Sequence, residues 1–369
     1  MTSQLFTPLQ IGKHTLPNRI TVAPMCQYSA IDGSMTDWHI MHLGSLAISG
    51  ASMLVIEATG VTPAGRITPH CVGLYSDANE AAMQRVVDYV RSISPILLGV
   101  QIGHAGRKAS THRPWQGHGF LKPDEGAWQT LAPSAVPLAA GCPAPQAMTK
   151  ADMQQLTQAF VRATERAAGI GLDFIEIHST HGYLLSEFLS PLSNRRTDEY
   201  GGSLENRMRF PLEVFRAVRA VFPADRAVGA KISGTDFADG GFTPDDAVVY
   251  ARALKAEGCA YVTVSGGGVV LDAKIPVGPG YQVPFAERVK KETGITTGAV
   301  GMITDPQQAE AIIANAQADF ISLARAMLFN PRWPQHAAVA LGVEAEYPPQ
   351  YQRAAPKVWR PGRTLGKIS

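Results

Sequence analysis

The 369-residue chain is poor in cysteine: it has four, Cys26, Cys71, Cys142 and Cys259, and no CxxC pair. That argues against a disulfide scaffold and against cysteine-ligated iron–sulfur chemistry. It also lacks a charge excess, since 33 Lys and Arg against 31 Asp and Glu leave a net +2. So balanced a chain advertises neither a nucleic-acid nor a membrane surface as its partner. Long apolar runs are missing too. No stretch approaches the roughly 18 apolar residues of a bilayer span, and the first twenty residues hold no continuous apolar core of a secretion signal. The expectation is a reduced, cytoplasmic protein. With 45% hydrophobic and 17% charged residues, its composition is that of a globular chain.

What is present is a rhythm of short runs rich in Val, Ile or Phe. They fall at 20–23, 53–57, 96–101, 174–178, 228–232, 261–265, 296–299 and 320–323. Most are apolar on both faces, as strands of a covered parallel sheet are. Helix signals lie between them. Thr149 and Asp152 cap a run to Ala168 that Gly169 closes, Pro244 follows Thr243, Pro306 follows Asp305, and Gly258 and Gly294 mark helix ends. The pattern predicts the α/β class, a (β/α)8 barrel in one domain over 1–348, rather than two Rossmann domains. The third and fourth runs are widely separated. The excess, 103–148, is rich in Gly and Pro and predicts a functional loop or lid. An arm over 349–369 carries Arg353, Lys357, Arg360, Arg363 and Lys367.

Active sites of such barrels lie at the C-terminal ends of the strands. The first run ends in PMCQYS, with Pro24, Cys26 and Tyr28, and the second ends at Glu57–Ala58. Gln101 ends the third, followed by His104 and Lys108 in HAGRK. The fourth ends in IHSTHGYL, with His178, His181 and Tyr183. Lys231 ends the fifth, glycines 266–268 follow the sixth, Gly301 the seventh and Arg325 the eighth. Three readings of the histidine pair stay open: a loop cap with a packed ring, two metal ligands with Glu57, or a two-donor clamp on a carbonyl or nitro oxygen. Mutual repulsion should keep at least one imidazole neutral. Tyr183 is a candidate proton donor, since a phenol stays protonated at neutral pH, or else a packing residue. The glycines of loops six to eight with Arg325 suit a phosphate, or simply turns. Cys26 can be an ordinary buried thiol, and Lys108 a solvated side chain. Lys231 closes an apolar strand, so its expected partner is an anion on a ligand, Glu57 or Asp236.

PMCQYS, IGHAGRKA, EIHSTHGYLLSEFLSPLSNRRTDEYGGSLENR and TGAVGMI together resemble the Old Yellow Enzyme family of FMN-dependent ene-reductases, from LFTP near the N-terminus to about Arg353. Cys26, Tyr28 and the C-terminal QYQR resemble its bacterial, dimeric, thermophilic-like subclass, which includes NADPH dehydrogenases and xenobiotic reductases. The resemblance implies that Ala23, Pro24, Met25, Cys26, Ala58 and Gln101 hold the flavin ring, with Lys231 at its N1–C2=O edge. It implies that Gly301, Ala324 and Arg325 hold the phosphate. His178 and His181 would bind the electron-withdrawing oxygen of an activated alkene, Tyr28 would line the substrate face, Tyr183 would give the proton, and Cys26 would tune the flavin. Arg353 would reach into the site of a second copy in a homodimer or dimer of dimers. NADPH would reduce FMN, which passes hydride to the β-carbon. Two positions depart from the family: Lys231 and Ala324 stand where Arg and Gly are usual. The rival functions are a metal-dependent barrel hydrolase and a non-catalytic flavin-binding protein.

Overall fold

The computed structural model describes residues 3–117 and 119–365; Lys367, assigned above to the arm, lies outside them. An antiparallel hairpin, β1 (Leu9–Ile11) and β2 (His14–Leu16), precedes the barrel. The strands β3 (Ile20–Val22), β4 (Met53–Gly60) and β5 (Leu97–Gly103) follow. The insertion contributes a minimal pair, β6 (Leu131–Ala132) and β7 (Gln146–Ala147). The chain then returns through β8 (Phe174–Ser179), β9 (Ala227–Ser233), β10 (Val262–Ser265), β11 (Thr297–Ala299) and β12 (Phe320–Leu323). The eight long-range partners close as β10-β11-β12-β3-β4-β5-β8-β9, every pair parallel. The fold is the (β/α)8 barrel expected from the eight runs. Helices α1 (Asp37–Ala47), α2 (Asp77–Ile93), α3 (Lys150–Gly169), α4 (Leu184–Leu189), α5 (Leu204–Val221), α6 (Pro244–Ala256), α7 (Val283–Thr293) and α8 (Pro306–Ala314) lie between the strands; α9 (Arg325–Phe329) and α10 (Trp333–Ala340) follow β12. Thr149 accepts from the Asp152 N–H at the start of α3, and Gly294 ends α7 at φ 61°, as their sequence signals require.

The two faces of each strand have separate tasks. Outward residues such as Leu98, Val100, Ile175, Ile177, Val262 and Val264 join the helices in one buried core. Inward residues at the N-terminal end form a second, smaller cluster around Phe174, Tyr261 and Phe320, sealed from below by Ile11 and Leu16 of the hairpin. Tyr261 packs edge-on to Phe174 and to Phe320, at 6.3 and 5.7 Å between centroids. Glycine makes room for these rings. A Cβ at Gly229 would stand 2.3 Å from the Tyr261 ring, and one at Gly298 2.3 Å from Phe320. Above this apolar plug the same inward rows turn polar. Along β8 the order is Phe174, Glu176, His178, all buried. The barrel is therefore solid and greasy at one end and polar at the other, where its loops gather.

The hairpin and the β6–β7 pair have no sequence signal, because runs of three and two residues are too short to show a period.

Candidate active site

His178 lies one residue before the end of β8, and the chain then turns sharply at His181 (φ 63°) and Gly182 (φ 69°). The turn is forced against the loop after β10: a Cβ on Gly182 would sit 2.0 Å from the Gly268 carbonyl oxygen, and one on Gly268 2.6 Å from that of His181. Glycine at both positions thus serves backbone packing, and the demand for it in loop six is met without a phosphate. Lys108 bridges the same two carbonyls, its Nζ donating to His181 O at 2.8 Å and Gly268 O at 3.0 Å, and it lies 5.1 Å from the Tyr183 ring centroid. The sequence alone allows Lys108 to be a solvated side chain; the structure makes it a clamp between three loops. Burial pulls its ammonium down to about 8.

The rings of His178 and His181 meet edge-on at 5.2 Å, and those of His178 and Tyr183 at 4.9 Å. Nδ1 of His178 is buried with no hydrogen-bond partner among the described residues. Nε2 of His181 lies 2.8 Å from Ser265 Oγ, so that hydroxyl governs the tautomer. Burial first, then the neighbouring cationic groups, push both imidazoles well below their ordinary value, so both are neutral at pH 7. Burial pushes the Tyr183 phenol well above 10, so it holds its proton throughout the neutral range. A cleft lined by Ala58, Gly103, His178 and Tyr183 reaches this cluster from outside.

Beneath it lies Lys231, buried on β9 in register with His178 and Thr263. Its Nζ makes no hydrogen bond to any described residue. The facing carboxylate is Glu176, not Glu57 or Asp236 as the sequence suggested. Glu57 accepts from the Gln27 N–H at 3.1 Å and stands 3.4 Å from His39, and Asp236 accepts from Ser190 Oγ and Phe242 N. Glu176 accepts from Gln101 Nε2 at 2.8 Å and Thr263 Oγ1 at 3.0 Å. Glu176 and Ser265 are site residues that reading the strand ends missed. The signal for Glu176 was its position two residues before His178, on the same inward face.

The first loop brings Ala23, buried and bonded through its N–H to Leu323 O at 2.9 Å, and the half-buried Pro24, Met25 and Cys26 to the rim. Burial pushes the Cys26 thiol well up, with Cys71 and Glu57 adding to it. Tyr28 adopts φ 50° and packs edge-on to Trp115 of the insertion at 5.9 Å. Ala58 lies within a register shift in β4, between Ile56 and Thr59. Gly301 takes φ 111°, where a Cβ would press on the Gln282 backbone N at 3.0 Å. Ala324 precedes α9, and Arg325 opens that helix as a guanidinium with no ion pair among the described residues. Arg353 lies in an exposed 3₁₀ turn, Pro349–Ala354, of the arm. Among the described residues no group of three or more His, Cys, Asp or Glu is gathered to hold a metal ion, and Glu57 is engaged elsewhere. A separate open hollow of about 480 Å³, beside Lys290 and Asp319, is at the opposite, N-terminal end of the strands.

Arg107 ties the insertion to this rim. Its guanidinium donates to the carbonyls of Val136 (3.0 Å), Pro137 (3.1 Å) and Val269 (2.6 Å), and its backbone N–H donates to Glu187 at 2.9 Å. Arg107→Ala strands three carbonyls and opens a cavity, so a loss of about 3–5 kcal/mol is expected in urea unfolding. Burial raises Glu187 from 4.5 to about 8. Because the folded state favours the protonated acid, stability relative to a Glu187→Gln chain should fall as pH rises from about 4.5 to about 8. Unfolding midpoints of both chains across that range test the sign.

Residues 4–344 match the profile of the NADH:flavin oxidoreductase / NADH oxidase family. The chain belongs to this family, that of the Old Yellow Enzymes. A curated NADPH dehydrogenase of Geobacillus thermodenitrificans is 44% identical over 98% of this chain and all of its own. Among solved structures, morphinone reductase aligns with a TM-score of 0.77 at 28% identity, over 95% of this chain and 93% of its own. A 2-naphthoyl-CoA reductase complex aligns at 0.82 and 23% identity, and this chain spans only 52% of its length; that likeness concerns the fold alone. An Old Yellow Enzyme is an FMN-dependent oxidoreductase, and the residues present suit that cofactor. Among the described residues the site holds a buried lysine whose Nζ makes no hydrogen bond, an orphaned imidazole nitrogen, a guanidinium without an ion pair, and a glycine at φ 111° beside a backbone N.

Proposed function

We propose that this Old Yellow Enzyme uses NADPH to reduce the C=C bond of activated alkenes: α,β-unsaturated carbonyl or nitro compounds. The observation that carries the reading is the packing of a second neutral imidazole and a protonated phenol within 5.2 Å of the neutral His178 ring, above a buried lysine. Ala23, Pro24, Met25, Cys26, Ala58, Gln101 and Lys231 would hold the flavin ring, and Gly301, Ala324 and Arg325 its phosphate. Bound FMN would supply the hydride chemistry that links NADPH oxidation to alkene reduction.

The chain's own groups do the rest. N–H donors on His178 and His181 hold the carbonyl or nitro oxygen and draw electron density from the β-carbon. Neutral donors suit this task, because a charged imidazole in so buried a place would be costly. Tyr183 holds the proton destined for the α-carbon, and the Lys108 ammonium beside its ring steadies the phenolate left behind. Tyr28, backed by Trp115, walls the substrate side, and Cys26 stands as a neutral thiol on the flavin side. Arg353 reaches the site of a second copy, and its exposure agrees with that role. Arg353→Ala should then weaken substrate and inhibitor binding in the dimer. No helix among the described residues is long and apolar enough to cross a membrane.

Arg325→Ala removes a charge-assisted phosphate contact of about 1.5–3 kcal/mol, so FMN affinity, read from quenching of flavin fluorescence by apoprotein, should fall about 10- to 100-fold. The function itself is tested by stoichiometry. Cyclohexenone and NADPH under anaerobic conditions should give one cyclohexanone per NADPH consumed. NADPH loss without saturated ketone would refute alkene reduction.

A further inference from the structure

We propose that Glu176 is the counter-ion that keeps Lys231 charged inside the barrel, and so sets the redox poise of the flavin this lysine faces. The inference rests on the placement of Lys231 beside the flavin given above. Lys231 is 6% exposed and lacks any hydrogen-bond acceptor among the described residues. Glu176, one strand away, is 2% exposed, and its two oxygens are each held by a donor. Those donors come from the strands on either side, Gln101 on β5 and Thr263 on β10, and Thr263 is itself the register partner of Lys231. Gly229, opposite Glu176 on β9, has no side chain to interpose between β8 and β10. Both hydrogen bonds favour the ionised carboxylate over the protonated acid.

The titratable and charged groups facing Lys231 are Glu176, Cys26, His178 and His181. Burial holds the thiol and both imidazoles neutral, so of these groups Glu176 is the one that can supply negative charge. Burial pushes its carboxyl up as well, and Lys231, Thr263 and Gln101 oppose that rise. Burial drives Lys231 toward its neutral amine, and Glu176 opposes this. The need is particular to this chain. Arginine, usual at this position in the family, remains protonated when buried, whereas lysine shifts readily. A fixed positive charge there favours the reduced, negatively charged flavin, so a lysine that lost its proton would lower the midpoint potential.

The test is the midpoint potential of the holoenzyme from pH 6 to 9, for wild type, E176Q, K231R and K231R/E176Q. Glutamine is isosteric and can remake both hydrogen bonds, so loss of charge is the main change. At alkaline pH, E176Q should shift the reduced-to-oxidised ratio at least tenfold toward oxidised flavin, about 30 mV for a two-electron couple, with a break in the pH dependence that wild type lacks in this range. In the K231R background the same substitution should produce no such fall. An E176Q potential that is unchanged or raised throughout, or that falls equally in the K231R background, would overturn the proposal. If E176Q does not accumulate as folded holoenzyme, its recovery by K231R supports the proposal and its failure to recover counts against it. K231Q separates the underlying placement: if its potential and FMN affinity match wild type, Lys231 does not face the flavin at all.

Discussion

Tyr183→Phe is expected to slow alkene reduction by about 10²- to 10⁴-fold, the range for losing a positioned general acid, while flavin reduction by NADPH proceeds at its ordinary rate. The asymmetry follows from the geometry. The phenol stands 4.9 Å, ring to ring, from His178, whose partner His181 is pinned by Ser265 and Lys108. Removing one oxygen leaves the aromatic packing and the oxygen clamp in place, so substrate affinity should change little. Burial holds the phenol well above 10, so the wild-type rate should not depend on Tyr183 ionisation between pH 6 and 9. Stopped-flow measurement of the two half-reactions separates the steps. Equal slowing of both, or of neither, would remove Tyr183 as the proton donor.

His178→Ala and His181→Ala should each cost about 10²- to 10³-fold in alkene reduction, the scale for deleting one donor to a developing oxyanion. The double variant should lose less than the product of the two, because the rings share one substrate oxygen and one packing cluster. Substrate affinity should fall as well, since the clamp binds the ground-state oxygen too. The pH dependence is a sharper signature. Both imidazoles are held well below 6.5 by burial and by neighbouring cations. They remain neutral as pH falls through 6.5, so the rate should show no acid limb there. An inflection near 6.5 that vanishes in either variant would mean a protonated, solvated histidine and would contradict a clamp of two buried, neutral rings.

The barrel was legible because each strand, buried on both faces, is a short apolar run with clear breaks, and the observed bounds differ from the expected ones by at most three residues. The grouping of His178, His181 and Tyr183 was legible because one local segment, residues 178 to 183, carries both histidines and the tyrosine. What sequence could not supply was pairing across strands. The sequence offers Lys231 an anion on a ligand, Glu57 or Asp236, whereas the buried carboxylate beside it is Glu176, one layer below His178, where inward residues of adjacent strands meet. Glycines 266 to 268 likewise suggest a phosphate cradle. In the fold, Gly268 is needed for its approach to His181, and Gly267 adopts φ 77°, a left-handed conformation that favours glycine. Lys108 and Arg107 gave no sign of their carbonyl partners, because those lie on loops 29 to 162 residues away in sequence whose meeting only the closed barrel determines.

In the proposed function one site takes hydride from NADPH onto flavin and gives it to an activated alkene. The most direct measurement is the anaerobic absorbance spectrum of the purified protein, first with one equivalent of NADPH and then with cyclohexenone. The flavin band at about 450 nm should bleach on the first addition and return on the second, with Tyr183→Phe showing the bleaching but a return slowed by orders of magnitude. A band that does not bleach, or one that bleaches and is not restored by the enone, would contradict the account.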